Sequence, residues 1–317
     1  MPTNSSIFNF NEMRRLLTRI SLLILLVLTT LLAVVLIPVD ATDHFLLALI
    51  DKENRLQQLD SPKMIILGGS NTVFNIDSRR IADAMDYSVA NLGMHAGLGL
   101  MLHLNQVRSY IRAGDMVVIM PEYAQFYRQL FFGGRTVTRL VMFYPQYFRY
   151  IINWRQYLEI LKGLGLETRS KLVYLLGRSA YEETYRRSAF NEFGDLNPAL
   201  IGDQPQEKLK YEHYEIRNLA DINHAAVREL NKFYDYVGKR GARVYLAFPP
   251  VPLEKYAANR QEIEELETYL EDNLEIPVLY QPVEVLLPAK EFYDTFYHLN
   301  TLGREHYTHI FLNYFKR

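Results

Sequence analysis

From Ile20 to Ile37 the chain is apolar except at Ser21, Thr29 and Thr30. At 1.5 Å per residue this run reaches about 27 Å, close to the hydrocarbon thickness of a bilayer. A soluble fold rarely buries a helix that is apolar on every side, so this segment dictates where the rest of the chain works. Arg14, Arg15 and Arg19 precede it, and Asp40, Asp43 and Asp51 follow it. Basic flanks stay in the cytoplasm. The expected topology is therefore a cytoplasmic stretch at 1–19, a transmembrane signal anchor at 20–37 in contact with the lipid bilayer, and a membrane-proximal segment at 38–61. Residues from 62 onward are expected in the periplasm or outside the cell, on a single-pass membrane protein. A cleaved signal peptide is the competing reading, but Val39-Asp40-Ala41 is a poor small-x-small cleavage site. A buried core helix is the other.

Beyond the run, short apolar strands alternate with helices. Met64–Leu67, Tyr87–Leu92, Met116–Met120, Arg243–Phe248 and Val278–Tyr280 read as strands. Helical spacing is expected from Ser78, where serine stands in cap position, across Gly99–Arg112, in the acidic Gln261–Leu274, and from about Thr301 to Tyr314. Such alternation predicts an α/β fold, a parallel sheet with helices on both faces. Ligand sites of these sheets lie beyond the carboxyl ends of strands, where Ser70, Gly93 and Glu122 fall. With 35 basic against 36 acidic residues, there is no polybasic reason to expect nucleic acid. The chain contains no cysteine, which excludes thiol catalysis and disulfides.

The stretch from about 125 to 240 breaks the alternation and reads as a helical insertion in the domain that begins at 62. Its first part, Phe126–Tyr157, holds eleven aromatics and five arginines (Arg128, Arg135, Arg139, Arg149, Arg155) without an acid. This mixture suits a membrane interface or a membrane partner. Two other readings are open: aromatics packing the insertion onto the sheet, and sugar stacking in an acceptor groove. Asn191, Gly194, Asp195, Asn197 and Pro198 mark loops in its later part, Glu182–Asp221.

Two motifs carry chemistry. Gly68-Gly69-Ser70-Asn71 ends the first strand and lifts a serine to the sheet edge, beside the amides that open the next helix. A serine hydroxyl needs a neutral imidazole to take its proton and a carboxylate to orient that imidazole. Asp294-Thr-Phe-Tyr-His298, just before the last helix, carries both on one loop. Either motif alone is a glycine turn or a capping pair, and the combination is much more specific.

In that combination the chain resembles the SGNH/GDSL hydrolase superfamily, over roughly residues 62–125 and 241–317. The resemblance implies a flavodoxin-like sheet, with Ser70 as nucleophile, His298 as general base and Asp294 as its orienting acid. Gly93, in Asn91-Leu92-Gly93, matches the glycine whose N–H joins the oxyanion hole. The chain departs from the pattern in three ways. Gly69 stands where the hydrolases often have Asp, and the acid–histidine spacing is four instead of three. Pro121-Glu122-Tyr123 replaces the usual Asn after strand three. That leaves Asn71 to supply the missing oxyanion donor and puts Glu122 and Tyr123 on the substrate side. The departures resemble the membrane-anchored subset that modifies cell envelopes, such as the alginate O-acetylation and D-alanyl-lipoteichoic acid biosynthesis proteins. This implies transfer of acyl, most simply acetyl, groups to or from hydroxyls of an envelope polysaccharide, with a multispanning membrane acyltransferase as partner. The alternative is a non-catalytic glycan-binding or assembly subunit.

No cofactor or metal is expected. Gly97-Leu98-Gly99 and Gly133-Gly134 lack the setting of phosphate loops. His309 with Glu305 has no convergent third ligand. His95 reads as a loop residue near the site, and His103 as a packing or surface residue of its helix.

Overall fold

The computed structural model describes residues 10–37, 43–176, 186–202 and 216–315. Val39-Asp40-Ala41, residues 1–9 of the cytoplasmic stretch, and positions 177–185 and 203–215 of the insertion lie outside the described residues.

The apolar run is helical. Helix α1, Phe10–Leu36, starts upstream of the run and carries the three arginines on its early turns. It is long enough to cross a membrane, and its most apolar stretch has a mean hydropathy of 2.3. A signal anchor and a signal sequence both have this form. Helix α2, Ala48–Gln58, follows and was not expected from the sequence.

Strand β1 (Lys63–Gly68) leads directly into α3 (Ser70–Asn75), then α4 (Ser78–Ala84), β2 (Ser88–Asn91), α5 (Leu100–Val107) and β3 (Met116–Met120). The added segment supplies α6 (Arg135–Phe143), α7 (Trp154–Leu175) and α8 (Pro198–Ile201). Then come α9 (His224–Gly238), β4 (Arg243–Leu246), β5 (Val251–Pro252), α10 (Leu253–Ala258), α11 (Arg260–Asn273), β6 (Leu286–Leu287) and α12 (Thr301–Phe315). Strands β2-β1-β3-β4 form one parallel sheet in that order, and β5 pairs in parallel with β6 apart from it. The expected strand at 278–280 contributes a single parallel bridge, Leu246 to Val278, beside β4. The doubly wound order 2-1-3-4-5 is thus visible with its last strand reduced to a bridge.

Strands β1 and β3 are buried along their whole length, as a central pair covered on both faces must be. Helix α9 packs on β4 and is the crossover between β3 and β4. The added segment proper is therefore shorter than expected and ends before Asn223. It holds its own apolar cluster, in which Val137, Leu140, Val141 and Ile160 meet Leu46, Leu49 and Leu102. At α4 the cap is Asp77, which accepts the Arg80 N–H at 3.0 Å. Ser78 is instead the first helical residue, and its hydroxyl donates to Asp195 at 2.7 Å.

Packing settles most of the aromatic mixture. Phe126, Tyr127, Phe131, Phe132, Phe143, Tyr144, Tyr147 and Tyr150 are buried. For these eight rings the expected interfacial patch at Phe126–Tyr157 is corrected: Phe126, Tyr127, Phe131 and Phe132 join the core of the sheet, and Phe143, Tyr144, Tyr147 and Tyr150 the added segment's own cluster, while Phe148, Trp154 and Tyr157 stay exposed. Three of the five arginines there answer buried acids, Arg135 and Arg139 on Glu167 and Arg149 on Glu53.

Candidate functional site

Strand register builds the site. Gly68 of β1 is paired with Met120 of β3, so the residues two places on, Ser70 and Glu122, emerge side by side. Ser70 Oγ lies 3.1 Å from Glu122 Oε1. Gly69 makes that approach possible: a Cβ there would come within 2.3 Å of the same carboxylate oxygen. This is a physical reason for glycine where the resemblance led one to expect aspartate. The backbone amides of Ser70 and Asn71 lie on the same side and favour the charged form of the Glu122 carboxyl. Burial pushes the Glu122 carboxyl above its ordinary range, against the opposing pull of His298, the Ser70 hydroxyl and those two amides.

The histidine arrives on a closed turn. Phe292 and Leu299 form an antiparallel bridge, and the Tyr293 N–H donates to the His298 carbonyl at 2.7 Å. The four residues between, Asp294 to Tyr297, form the turn, so an acid four places before the histidine faces its ring. His298 Nδ1 is 2.7 Å from Asp294 Oδ1, and Nε2 is 2.8 Å from Ser70 Oγ. With its hydrogen on Nδ1, the imidazole donates to Asp294 and accepts from Ser70. The ring lies flat on Phe74, centroids 4.0 Å apart and planes 4° from parallel. Asn75, also on α3, holds the loop on either side of the histidine. Its Nδ2 donates to the Tyr297 carbonyl and its Oδ1 accepts the Leu299 N–H, both at 2.9 Å. One short helix thus positions serine, ring platform and histidine loop together.

The other expected site residues are placed differently. Gly93 cannot carry a side chain, because a Cβ would fall 1.5 Å from Thr72 Oγ1, but its N–H donates to Asn91 Oδ1 at 3.0 Å. The loop after β2 comes close to the serine turn through the Ala96 amide, 3.2 Å from where a Cβ on Gly69 would stand. The Asn71 side chain donates to the Met120 carbonyl at 3.0 Å, so only its backbone faces Glu122. Tyr123 is a core residue, 1% exposed and stacked with Phe248 and Tyr297. The structure therefore gathers Ser70, His298, Asp294 and Glu122, and directs Gly93, the Asn71 amide group and Tyr123 elsewhere.

Behind the site lies a polar layer that spacing alone does not reveal. Asp195 accepts from the Ser78 amide, the Ser78 hydroxyl and Asn91, and pairs with Arg304 at 3.2 Å. Lys52 of α2 donates to the carbonyls of Gly93 (2.6 Å), Gly194 (2.5 Å) and Asn91 (3.2 Å). Burial drives its ammonium down to about 7, with Asp195 opposing. Helix α2, the β2 loop and the added segment are thereby tied at one nitrogen. Nothing in the sequence marked this lysine, since the helix that carries it was itself not expected. Among the histidines, His95 caps the turn at Ala96–Leu98 by accepting the Gly97 N–H. His103 is fully buried, its ring held down to about 4 by that burial, and His309 lies 3.1 Å from Asn313 on α12. No protein-family model and no curated protein sequence matches the chain.

Proposed function

We propose that the chain is an SGNH-type serine acyl-ester enzyme, held outside the cytoplasm by α1, that moves acyl groups, most simply acetyl, to or from hydroxyls of an envelope polysaccharide. The observation that carries this reading is the Ser70–His298–Asp294 relay at 2.8 and 2.7 Å. His298 Nε2 takes the hydroxyl proton as Ser70 Oγ bonds the ester carbonyl carbon and the carbonyl electrons move to oxygen. Collapse expels the donor alcohol with the proton returned by His298, leaving acyl-Ser70. A sugar hydroxyl or water, deprotonated by the same ring, then takes the acyl group. The resemblance of the Ser70 and Asp294–His298 motifs to the SGNH pattern supports this, as does their convergence at the carboxyl ends of β1 and β3 on an α/β sheet.

Glu122 acts in its neutral form. Serine has a single hydroxyl hydrogen; an ionised Glu122 competes with His298 for it and sets a negative charge where an oxyanion must form. A protonated Glu122 donates to Ser70 Oγ or to the developing oxyanion and leaves the serine hydrogen to the imidazole, as an apolar site does for other catalytic carboxylic acids. An activity-based fluorophosphonate tests the function directly. Labelling of the native protein and not of Ser70→Ala is expected. Silence of the native protein over the whole pH range would favour the second reading, a non-catalytic glycan-binding or assembly subunit. The prior engagement of the Gly93 N–H by Asn91 Oδ1 is the observation on its side.

A further inference from the structure

Helix α7 is inverted relative to an ordinary surface helix. Its inward face carries Gln156, Glu167 and Lys171, all buried. Gln156 Oε1 accepts the Ile152 and Asn153 amides, Glu167 binds Arg139 and Arg135, and Lys171 donates to the Met142 carbonyl at 2.7 Å. Its outward face carries Trp154, Leu158, Leu161 and Leu172, continued by Leu176 at the C-cap, from 42% to 66% exposed. At 3.6 residues per turn these five fall on one stripe. Gly165 sits in the same stripe with open space beyond it. Along one flank, at seven-residue intervals, run Arg155, Lys162 and Arg169, Lys162 also reaching Glu159 at 2.5 Å. An apolar stripe with a basic border, on a helix of 22 residues, is the form of a helix that lies in the plane of a membrane surface.

Two further observations select the occupant. Helix α1 packs against α7 and α6, and the buried side chain among those described on α1 is Val34, near its carboxyl end. A span running outward from Arg19 therefore emerges beside α7, which places the stripe at headgroup depth. The basic border matches anionic headgroups. We infer that α7 lies in the outer membrane interface, its leucine stripe among the upper acyl chains and Arg155, Lys162 and Arg169 against anionic phosphates. This rests on the reading of α1 as a retained anchor, and it sets the site at a fixed height above the bilayer.

Trp154 is the only tryptophan in the chain, and it opens the stripe. The full chain is reconstituted into phosphatidylcholine vesicles with and without phosphatidylglycerol, using acyl-brominated lipid as a quencher and aqueous iodide as its counterpart. Brominated lipid should quench Trp154 severalfold more than iodide does. The effect should be stronger with phosphatidylglycerol, and Arg155→Gln with Lys162→Gln and Arg169→Gln should abolish that preference. Moving the reporter, as Trp154→Phe with Leu172→Trp, should give the same quenching at the far end of the helix. Emission open to iodide overturns the inference. Emission shielded from iodide yet untouched by brominated lipid also overturns it, since a protein surface, a second copy included, would then cover the stripe. Quenching at Trp154 alone overturns the flat placement. Resistance of the vesicle-bound chain to alkaline carbonate reports the anchor separately. A retained chain with a water-exposed Trp154 rejects the inference and keeps the anchor. An extractable chain with a quenched Trp154 does the reverse.

Discussion

At the scale of single residues, the serine hydrogen is the scarce quantity: two acceptors, Glu122 Oε1 and His298 Nε2, stand within 3.1 and 2.8 Å of Ser70 Oγ. A folded-state pKa raised above its unfolded value contributes stability that is fully present below the ordinary carboxylate range and lost as pH rises through the raised value. Glu122 is in that position. Glu122→Gln should therefore gain thermal stability relative to the native chain as pH rises through that window, and its alkaline activity limb should move upward. A pH series of melting temperatures and rates checks both, and an inert, equally pH-sensitive glutamine variant would show that the anion is needed. Ser70→Ala and His298→Ala should each cost on the order of a thousandfold or more in kcat, and the double variant little more, because the two act as a unit. Steady-state hydrolysis of a small soluble ester measures this, and additive losses would break the proposed relay. Asn75→Ala removes two hydrogen bonds that hold the histidine loop and should destabilise by about 1–3 kcal/mol, with kcat falling more than KM rises. Ser70, His298 and Asp294 were legible because their chemistry sits in short motifs. Glu122 was visible only as a departure from a pattern, and Asn75 not at all, since its partners are more than 200 residues away.

At the scale of elements, hydrophobic runs located β1 to β4 and periodicity located α5, α11 and α12, because each element's own face meets the core. The strand expected at 278–280 reduced to one bridge, an outcome set by pairing geometry that no local pattern records. The aromatic segment misled for a related reason. Composition counts rings and arginines, whereas burial depends on what lies opposite, and acids such as Glu53 and Glu167 come from other helices. Glu167 is the hinge of that packing, fully buried with Arg139 at 2.7 Å and Arg135 at 3.0 Å. Arg135 keeps 59% exposure, so its charge rehydrates when the acid is lost. Glu167→Ala should then cost about 1–3 kcal/mol, below the roughly 3–5 kcal/mol typical of breaking a fully buried pair. Denaturant unfolding measures it, and an unchanged midpoint would mean that α7 is held by its apolar contacts alone.

At the scale of the molecule, the arginines ahead of the span predict that a periplasmic reporter fused after Arg317 is active and a cytoplasmic one is silent. The opposite pattern would remove both the anchor orientation and the envelope substrate. The apolar run itself was the most legible feature of the chain, since fifteen apolar positions among the eighteen from Ile20 to Ile37 need no tertiary partner to be recognised. The tie at Lys52 was the least legible, because it joins three segments at one atom. The relay between Ser70 and His298 joins residues 228 apart, and this has a consequence for synthesis. A nascent chain releases its serine early and its histidine late, so throughout elongation the hydroxyl is an ordinary alcohol with no base to ionise it. The proposed activity would switch on only when the turn from Asp294 to His298 closes against α3. A chain interrupted anywhere before that turn is chemically silent, however well its first strands have paired.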